Sequence, residues 1–531
     1  MSVLLDISSF TLDYATRTGM VRVLENITLA IQAGEVLGLV GESGSGKSTL
    51  AYAIMRDLPA NAHERGGSIC FAGEELTRLR ARNIRALRGA RIAMVFQDPT
   101  AALNPTLTLG SQIAETLIRH RLLTREAAWR ESESLLRRVD IADPQAMMHR
   151  YPHEASGGEK QRVAIATAFA CQPELIIFDE PTSALDVITG ARILELFGRL
   201  RAETGVAALF ISHDLALVSR IGDRVAVLER GRVVETKPAD TVFISPTEPY
   251  TRALVAAVPR PSRRLVHDDD APGEAKVVQL LDISVRYGRP SFFRRRQTLG
   301  ASQVNLDICE KEILGIVGES GSGKSTLGRA MTGLAAFEGE IRLRGRRLTG
   351  PGQMDRSYRH AVQIVFQHPD ASLNPRQRVA DILARPLALF GGAAAEIPRL
   401  LEQVRLPPSY ARRYPHQLSG GEKQRVAIAR AFAAKPALVV CDEVTASLDV
   451  SVQAQVIALL LALRAEHGTA YAFISHDLNL VRQIAHRIAV MRRGRLVDLR
   501  AAASIAGPDA HAYTRELTAA CPVPVGEETS Q

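Results

Sequence analysis

The 531 residues are 46% hydrophobic and 23% charged with a net charge of +9, ordinary proportions for packed globular protein of about three or four domains. No stretch approaches the ~18 consecutive apolar residues that cross a bilayer, and residues 1–6 place no basic residue ahead of an apolar run. The expectation is therefore a chain that stays in the cytoplasm and spans nothing. Five scattered cysteines (Cys70, Cys171, Cys309, Cys441, Cys521) form no C-x-x-C pair, which argues against zinc or a redox dithiol and for reduced, structural thiols. The basic residues are spread along the chain, with short runs such as Arg263 and Arg264 and Arg294, Arg295 and Arg296, which reads as a solvated face rather than a nucleic-acid footprint.

The chain repeats itself. Residues 40–50 return unchanged as 317–327, so Lys47 maps to Lys324 with an offset of 277. Gln97 maps to Gln367 with an offset of 270, while Ser156 and Ser419, Asp179 and Asp442, His213 and His476, and Tyr250 and Tyr513 are each 263 apart. The second copy has thus lost seven residues twice. The expected division is a first domain over 1–261, a linker rich in Pro, Asp and Arg over 262–276, and a second domain over 277–531, where strand-like sequence resumes at Val277. Between Gln97 and Ser156 the pattern turns helical, as in residues 125–139, where Ala128, Leu135, Leu136 and Val139 recur among charges.

In each copy an apolar strand (36–40; 313–317) leads into Gly-x-x-x-x-Gly-Lys-Ser and then a helix, the context that makes this spacing a phosphate-binding P-loop. Its glycines let backbone N–H groups wrap phosphates at a helix N-terminus, so Gly41, Ser43, Gly44, Gly46, Lys47, Ser48 and Thr49 form one cradle. Gly318, Ser320, Gly321, Gly323, Lys324, Ser325 and Thr326 form the other. Lys47 and Lys324 reach the outer phosphates, and Ser48 and Ser325 are placed for Mg²⁺. Further on, apolar runs end in Asp179-Glu180 and Asp442-Glu443, as buried parallel strands that deliver carboxylates to the ligand edge of a sheet. The aspartate suits the Mg²⁺ shell and the glutamate the activation of water. Ser156-Gly157-Gly158-Glu159 and Ser419-Gly420-Gly421-Glu422 each open an apolar-periodic segment. Ser-x-x-Glu alone is a capping box, but two glycines at a helix start also make an anion site, so here the structural and functional readings coincide.

P-loop, glutamine, Ser-Gly-Gly-Glu, Asp-Glu and histidine, in that order and twice, resemble the ATP-binding cassette (ABC) ATPases over nearly the whole chain. The resemblance implies two tandem α/β P-loop NTPase cassettes, each with a RecA-like core, an antiparallel β subdomain and a helical subdomain. It implies ATP and Mg²⁺ as cofactors, with the cassettes pairing head to tail so that Lys47 shares a site with Ser419 and Lys324 with Ser156. Gln97 and Gln367 resemble the glutamine that senses the γ-phosphate and joins the Mg²⁺ shell, His213 and His476 the switch histidine, and Asp186 and Asp449 the D-loop aspartate. Tyr14 and Tyr287 resemble the adenine-stacking aromatic, although a strand tyrosine is as often packing. Two departures stand out. The first copy has Ala155 before its signature where the second has Leu418, and Pro181 after its glutamate where the second has Val444. Neither removes a phosphate-contacting group, so two competent sites are expected.

After each core comes an extension carrying Tyr-Thr-Arg (Tyr250; Tyr513) followed by prolines, and each glutamine is followed by Leu-Asn-Pro (Leu103; Leu373). Both features resemble bacterial importers for peptides, nickel chelates and glutathione-like solutes. That resemblance implies two separate transmembrane permease subunits, an extracytoplasmic solute-binding protein and a place on the inner face of the membrane, with no nucleic acid. The alternative, a soluble twin cassette acting on ribosomes or DNA, draws on the basic pI of about 9.5. The short proline-containing linker and the absence of C-x-x-C pairs argue against it.

Overall fold

The computed structural model describes residues 2–17, 19–183, 185–266, 271–288, 298–446 and 448–523. The arginines at 294–296 lie outside these. The chain divides into two compact units, Met1–Val258 with Pro522–Gln531, and Pro259–Cys521.

Each unit is built on a six-stranded sheet whose central strands are short apolar runs buried on both faces, as a sheet covered by helices requires. In the first unit the order across the sheet is Arg232–Pro238, Arg224–Glu229, Val36–Val40, Ala207–Ile211, Leu175–Asp179 and Ile92–Val95. All pairings are parallel except that of the Arg232–Pro238 edge. The second unit repeats this order with Arg495–Ala501, Arg487–Arg492, Ile313–Val317, Ala470–Ile474, Leu438–Asp442 and Val362–Val365. Because five neighbouring strands run parallel, their C-terminal ends lie along one edge, where an open α/β sheet binds its ligand. That edge carries in order the P-loop, the histidine loop, the paired acids and the loop of Gln97.

A four-stranded antiparallel sheet (Gly19–Gln32, Val3–Thr16, Ala62–Phe71, Glu74–Glu75) shares a hydrophobic core with the P-loop helix Lys47–Ile54 through Phe10, Leu12, Leu24, Leu50 and Ile54. Its counterpart in the second unit joins Thr298–Cys309, Lys276–Tyr287, Glu338–Leu343 and Arg346–Leu348. The six-residue strand Glu338–Leu343 stands where the first unit has ten residues, within the segment that holds the first deletion.

The helical region expected after Gln97 is present. Leu109–Arg121 and Arg125–Arg138 are capped by Thr108 and Thr124, whose side-chain oxygens accept from backbone N–H groups. Pro144–His149 follows. The second deletion falls here: Val379–Phe390 is retained, but the fourteen-residue Arg125–Arg138 gives way to the seven-residue Ile397–Gln403.

The end of the stretch read as the first domain and the start of the one read as a linker belong to the second unit. Gln483 donates to the carbonyl of Arg260 (2.9 Å), Leu265 N–H to that of Gln483 (2.8 Å), and Arg264 to that of Ala485 (3.0 Å). All five cysteines are free thiols, and no described helix is long and apolar enough to cross a membrane.

Candidate active sites on the two sheet edges

The first P-loop runs from strand Val36–Val40 into helix Lys47–Ile54. Gly41 has φ +155°, and a Cβ there would stand 2.2 Å from the Leu228 carbonyl oxygen; Gly318 has φ +150° and meets Met491 at 2.1 Å. Only glycine fits. The Lys47 ammonium curls back over the loop, donating to the carbonyls of Gly41 (2.8 Å) and Glu42 (2.9 Å), and Lys324 does the same to Gly318 and Glu319 at the same distances. Ser45 and Ser322 sit at matched positions with buried hydroxyls that have no hydrogen-bond partner. A buried polar atom left unsatisfied in both copies fits a cradle built to receive a polar ligand.

Around the loop the neighbouring strands assemble a connected set. Ser48 donates to Asp179 (3.0 Å) and Ser325 to Asp442 (2.7 Å). Gln97 donates through Nε2 to Glu180, and Gln367 to Glu443, both at 2.8 Å. Nδ1 of His213 lies 3.3 Å from the Glu180 carboxylate, and that of His476 3.7 Å from Glu443. The adjacent acids are driven in opposite directions. Burial, opposed by the Ser48 hydroxyl, raises Asp179 above the ordinary aspartate range, and Asp442 behaves alike. Burial also pushes Glu180 up, but the His213 hydrogen bond, the charges of His213 and Lys47 and the Gln97 amide together bring it below its ordinary value. At Glu443 the His476 hydrogen bond is the largest influence and the net shift is again downward. Each histidine is raised by its glutamate partner. The glutamates are thus kept ionised at neutral pH beside a histidine that holds a proton more readily, an arrangement able to accept a proton from water.

Glu180 and Glu443 also adopt left-handed backbone, φ +47° and +49°. Such geometry is uncommon for a non-glycine residue and concentrates at functional sites.

The remaining expected residues lie further out. Ser156 and Ser419 cap helices Gly157–Phe169 and Gly420–Phe432 through complete capping boxes with Glu159 and Glu422. Gly158 is needed for packing, since a Cβ would stand 2.8 Å from Thr189; for Gly421 the neighbour is Val452 at 2.7 Å. Asp186 caps helix Val187–Thr204, accepting from Thr189 N–H and hydroxyl at 3.0 Å each, and Asp449 stands at the same position before Val450–His467. The tyrosines part company. The Tyr287 hydroxyl donates to Thr326 in the P-loop helix (3.3 Å), while Tyr14 packs on the core of its β sheet. Gly300 leaves the room that the Tyr287 ring occupies, since an added Cβ there would stand 2.7 Å from it.

One contact has no precursor in the motif reading. The hydroxyl of Tyr250, in helix Pro249–Ala257, accepts from the backbone N–H of Glu42 in the P-loop (3.0 Å), and Tyr513, in helix Ala512–Ala520, accepts from Glu319 at the same distance. The recurrence of a tyrosine at the shared offset was the available signal.

Fold and site together define an ATP-hydrolysing cassette, present twice. The chain belongs to the ABC transporter family, whose profile matches residues 24–183 and 301–446, and it is an ATPase of that kind. A second profile, described as the oligopeptide/dipeptide transporter C-terminal region, matches residues 234–287. Among similar proteins, the glutathione import ATP-binding proteins GsiA of Escherichia coli (strain K12) and Shigella boydii serotype 4 (strain Sb227) are each 41% identical over 96% of this chain and 87% of their own length. That of Salmonella choleraesuis (strain SC-B67) is 40% identical over 98% of this chain and 89% of its own.

Proposed function

We infer that this chain is the ATP-hydrolysing subunit of an importer for glutathione, short peptides or a related small solute, working with two permease subunits and an external solute-binding protein on the inner face of the membrane. The observation that carries this reading is similarity to glutathione import ATP-binding proteins along nearly the whole chain, extension included. A groove of about 400 Å³ beside Gln97, lined by Met94, Phe96, Leu103, Leu107 and Ala164, supports a permease partner, because Phe96 and Leu107 expose apolar surface there.

In this reading the P-loop amides and Lys47 or Lys324 hold the phosphates, and Glu180 or Glu443 accepts the proton of the attacking water. Gln97 or Gln367 and His213 or His476 orient that glutamate. The hard oxygen donors Ser48 and Asp179, and Ser325 and Asp442, suit Mg²⁺, since each aspartate is a buried carboxylate that a cation would complete. Mg²⁺ would neutralise phosphate charge there. Each site is completed by the opposite signature, Ser419 for Lys47 and Ser156 for Lys324, from the same chain or a second one, with Asp186 and Asp449 beside it. Nucleotide can then drive transport through its preference for the closed pair.

The test is gentle extraction of the tagged chain from native membranes, followed by mass spectrometry and glutathione or dipeptide uptake by the purified complex. Two multi-span permeases and ATP-dependent uptake are expected. Ribosomes or repair proteins without a permease would leave the ATPase standing and remove the importer.

A further inference from the structure

The contact from the C-terminal extension falls on one peptide group. The N–H of Glu42 and the C=O of Gly41 are the two ends of the same planar unit and point in opposite directions. The Tyr250 hydroxyl takes the N–H at 3.0 Å, and the Lys47 ammonium gives a hydrogen bond to the C=O at 2.8 Å. The second unit repeats this with Tyr513, Glu319, Gly318 and Lys324 at the same distances. The residue before this peptide is a glycine at φ +155° or +150°. Lacking a Cβ, glycine populates many backbone conformations, so the orientation of the peptide depends on what grips it.

The tyrosine is itself anchored. It is the second residue of its helix, and the start of that helix is clamped to the edge strand of the large sheet by a carboxylate, buried at Glu235 and half-buried at Asp498. Glu235 accepts from Thr247 N–H (2.9 Å), Thr247 hydroxyl (2.7 Å) and Glu248 N–H (3.1 Å), and pairs with Lys237 (2.8 Å). Asp498 accepts from His511 N–H and Thr514 hydroxyl (2.9 Å each) and pairs with Arg500 (2.8 Å). The partners differ between copies while the outcome is the same: a rigid tyrosine facing the P-loop.

We propose that Tyr250 and Tyr513 are positioning residues that lock the first peptide of each P-loop, and so hold Lys47 and Lys324 and the loop amides in the arrangement that binds nucleotide phosphates. This rests on the P-loops being the ATP sites. The extension is thereby part of the nucleotide site, acting through the loop without touching the reacting atoms.

The experiment compares Tyr250→Phe, Tyr513→Phe and the double variant with wild type in full-length protein, measuring KM and kcat for ATP, equilibrium binding of ATP, and nucleotide-free melting temperature. Phenylalanine keeps the ring packing and removes the hydroxyl that accepts from the P-loop N–H. The double variant should raise KM and the ATP dissociation constant by about tenfold, the size expected when one partly buried N–H loses its partner, with kcat within about twofold. A lower melting temperature with unchanged KM and ATP affinity would reduce the tyrosines to structural anchors and overturn the proposal. Lys47→Ala with Lys324→Ala serves as the control. If that variant binds ATP normally, the P-loop assignment fails; if it does not while Tyr→Phe binds like wild type, only the tyrosine inference fails.

Discussion

The two halves of this chain compare one nucleotide-site design with itself under different surroundings. Lys-to-carbonyl, glutamine-to-glutamate and tyrosine-to-amide distances agree between copies, at 2.8, 2.8 and 3.0 Å. Away from the sheet edge the copies diverge: a helix is halved, a strand is shortened, and the anchor of the extension changes from Glu235 with Lys237 to Asp498 with Arg500. Geometry is thus held along the sheet edge that carries the motifs and free to drift where elements only have to pack. Within the sites, the copies also differ in the longer His476 contact, the shorter Ser325–Asp442 hydrogen bond, Val444 in place of Pro181, and the contacts of Tyr14 and Tyr287.

The comparison can be broken first at hydrolysis. Glu180→Gln and Glu443→Gln, made singly, should each remove about a hundredfold or more of the rate at its own site. The two single variants should retain total turnover within about twofold of one another by phosphate release; a large inequality would show that the shared distances hide a functional difference. Ser419→Arg then tests which signature serves which loop. In a Lys324→Ala background it should weaken ATP binding by about tenfold, the loss of one charge-assisted contact to phosphate, and in a Lys47→Ala background it should leave binding unchanged. The reverse pattern would contradict head-to-tail pairing.

Smaller effects sharpen the comparison of the anchors. Burial opposes the charge on Glu235, yet hydrogen bonds from Lys237 and Thr247 hold its carboxyl far below the ordinary value of 4.5. Its stabilisation is therefore complete above that value and lost as pH falls below it, because the unfolded chain then binds the extra proton. Glu235→Gln, which cannot accept at its amide nitrogen, should cost about 1–3 kcal/mol at neutral pH and flatten the acid limb of the stability profile. An unchanged acid limb would show that other carboxylates set it. Smallest of all, Val444→Pro copies the first unit at a buried turn and should stabilise the protein by at most about 1 kcal/mol in denaturant titration; destabilisation would mean the two turns differ in backbone.

The placement of the motif residues along the sheet edge was legible in the sequence because a parallel sheet writes it plainly. Each strand buried on both faces is an apolar run, and the residue that follows it arrives at the ligand edge. The strands at 36–40 and 175–179 and the helix over 125–138 lie where their patterns put them. The lock from Tyr250 to Glu42 was not legible, since its partner is a backbone N–H that any residue supplies, brought close by a fold spanning 208 positions. Nor did the tyrosine repeat foretell that the Tyr287 hydroxyl donates to Thr326 in the P-loop helix, a contact made only once the strand lies beside its loop. The left-handed backbone of Glu180 and Glu443 likewise has no mark in a motif that names only side chains.

The central claim is that the two glutamates beside the buried aspartates perform hydrolysis at sites that bind ATP without them. Purified Glu180→Gln/Glu443→Gln protein, assayed for ATP binding and for phosphate release in the same preparation, tests it most directly. The account predicts ATP affinity within about twofold of wild type and turnover lower by about a hundredfold or more. Turnover close to wild type with ATP bound would contradict it.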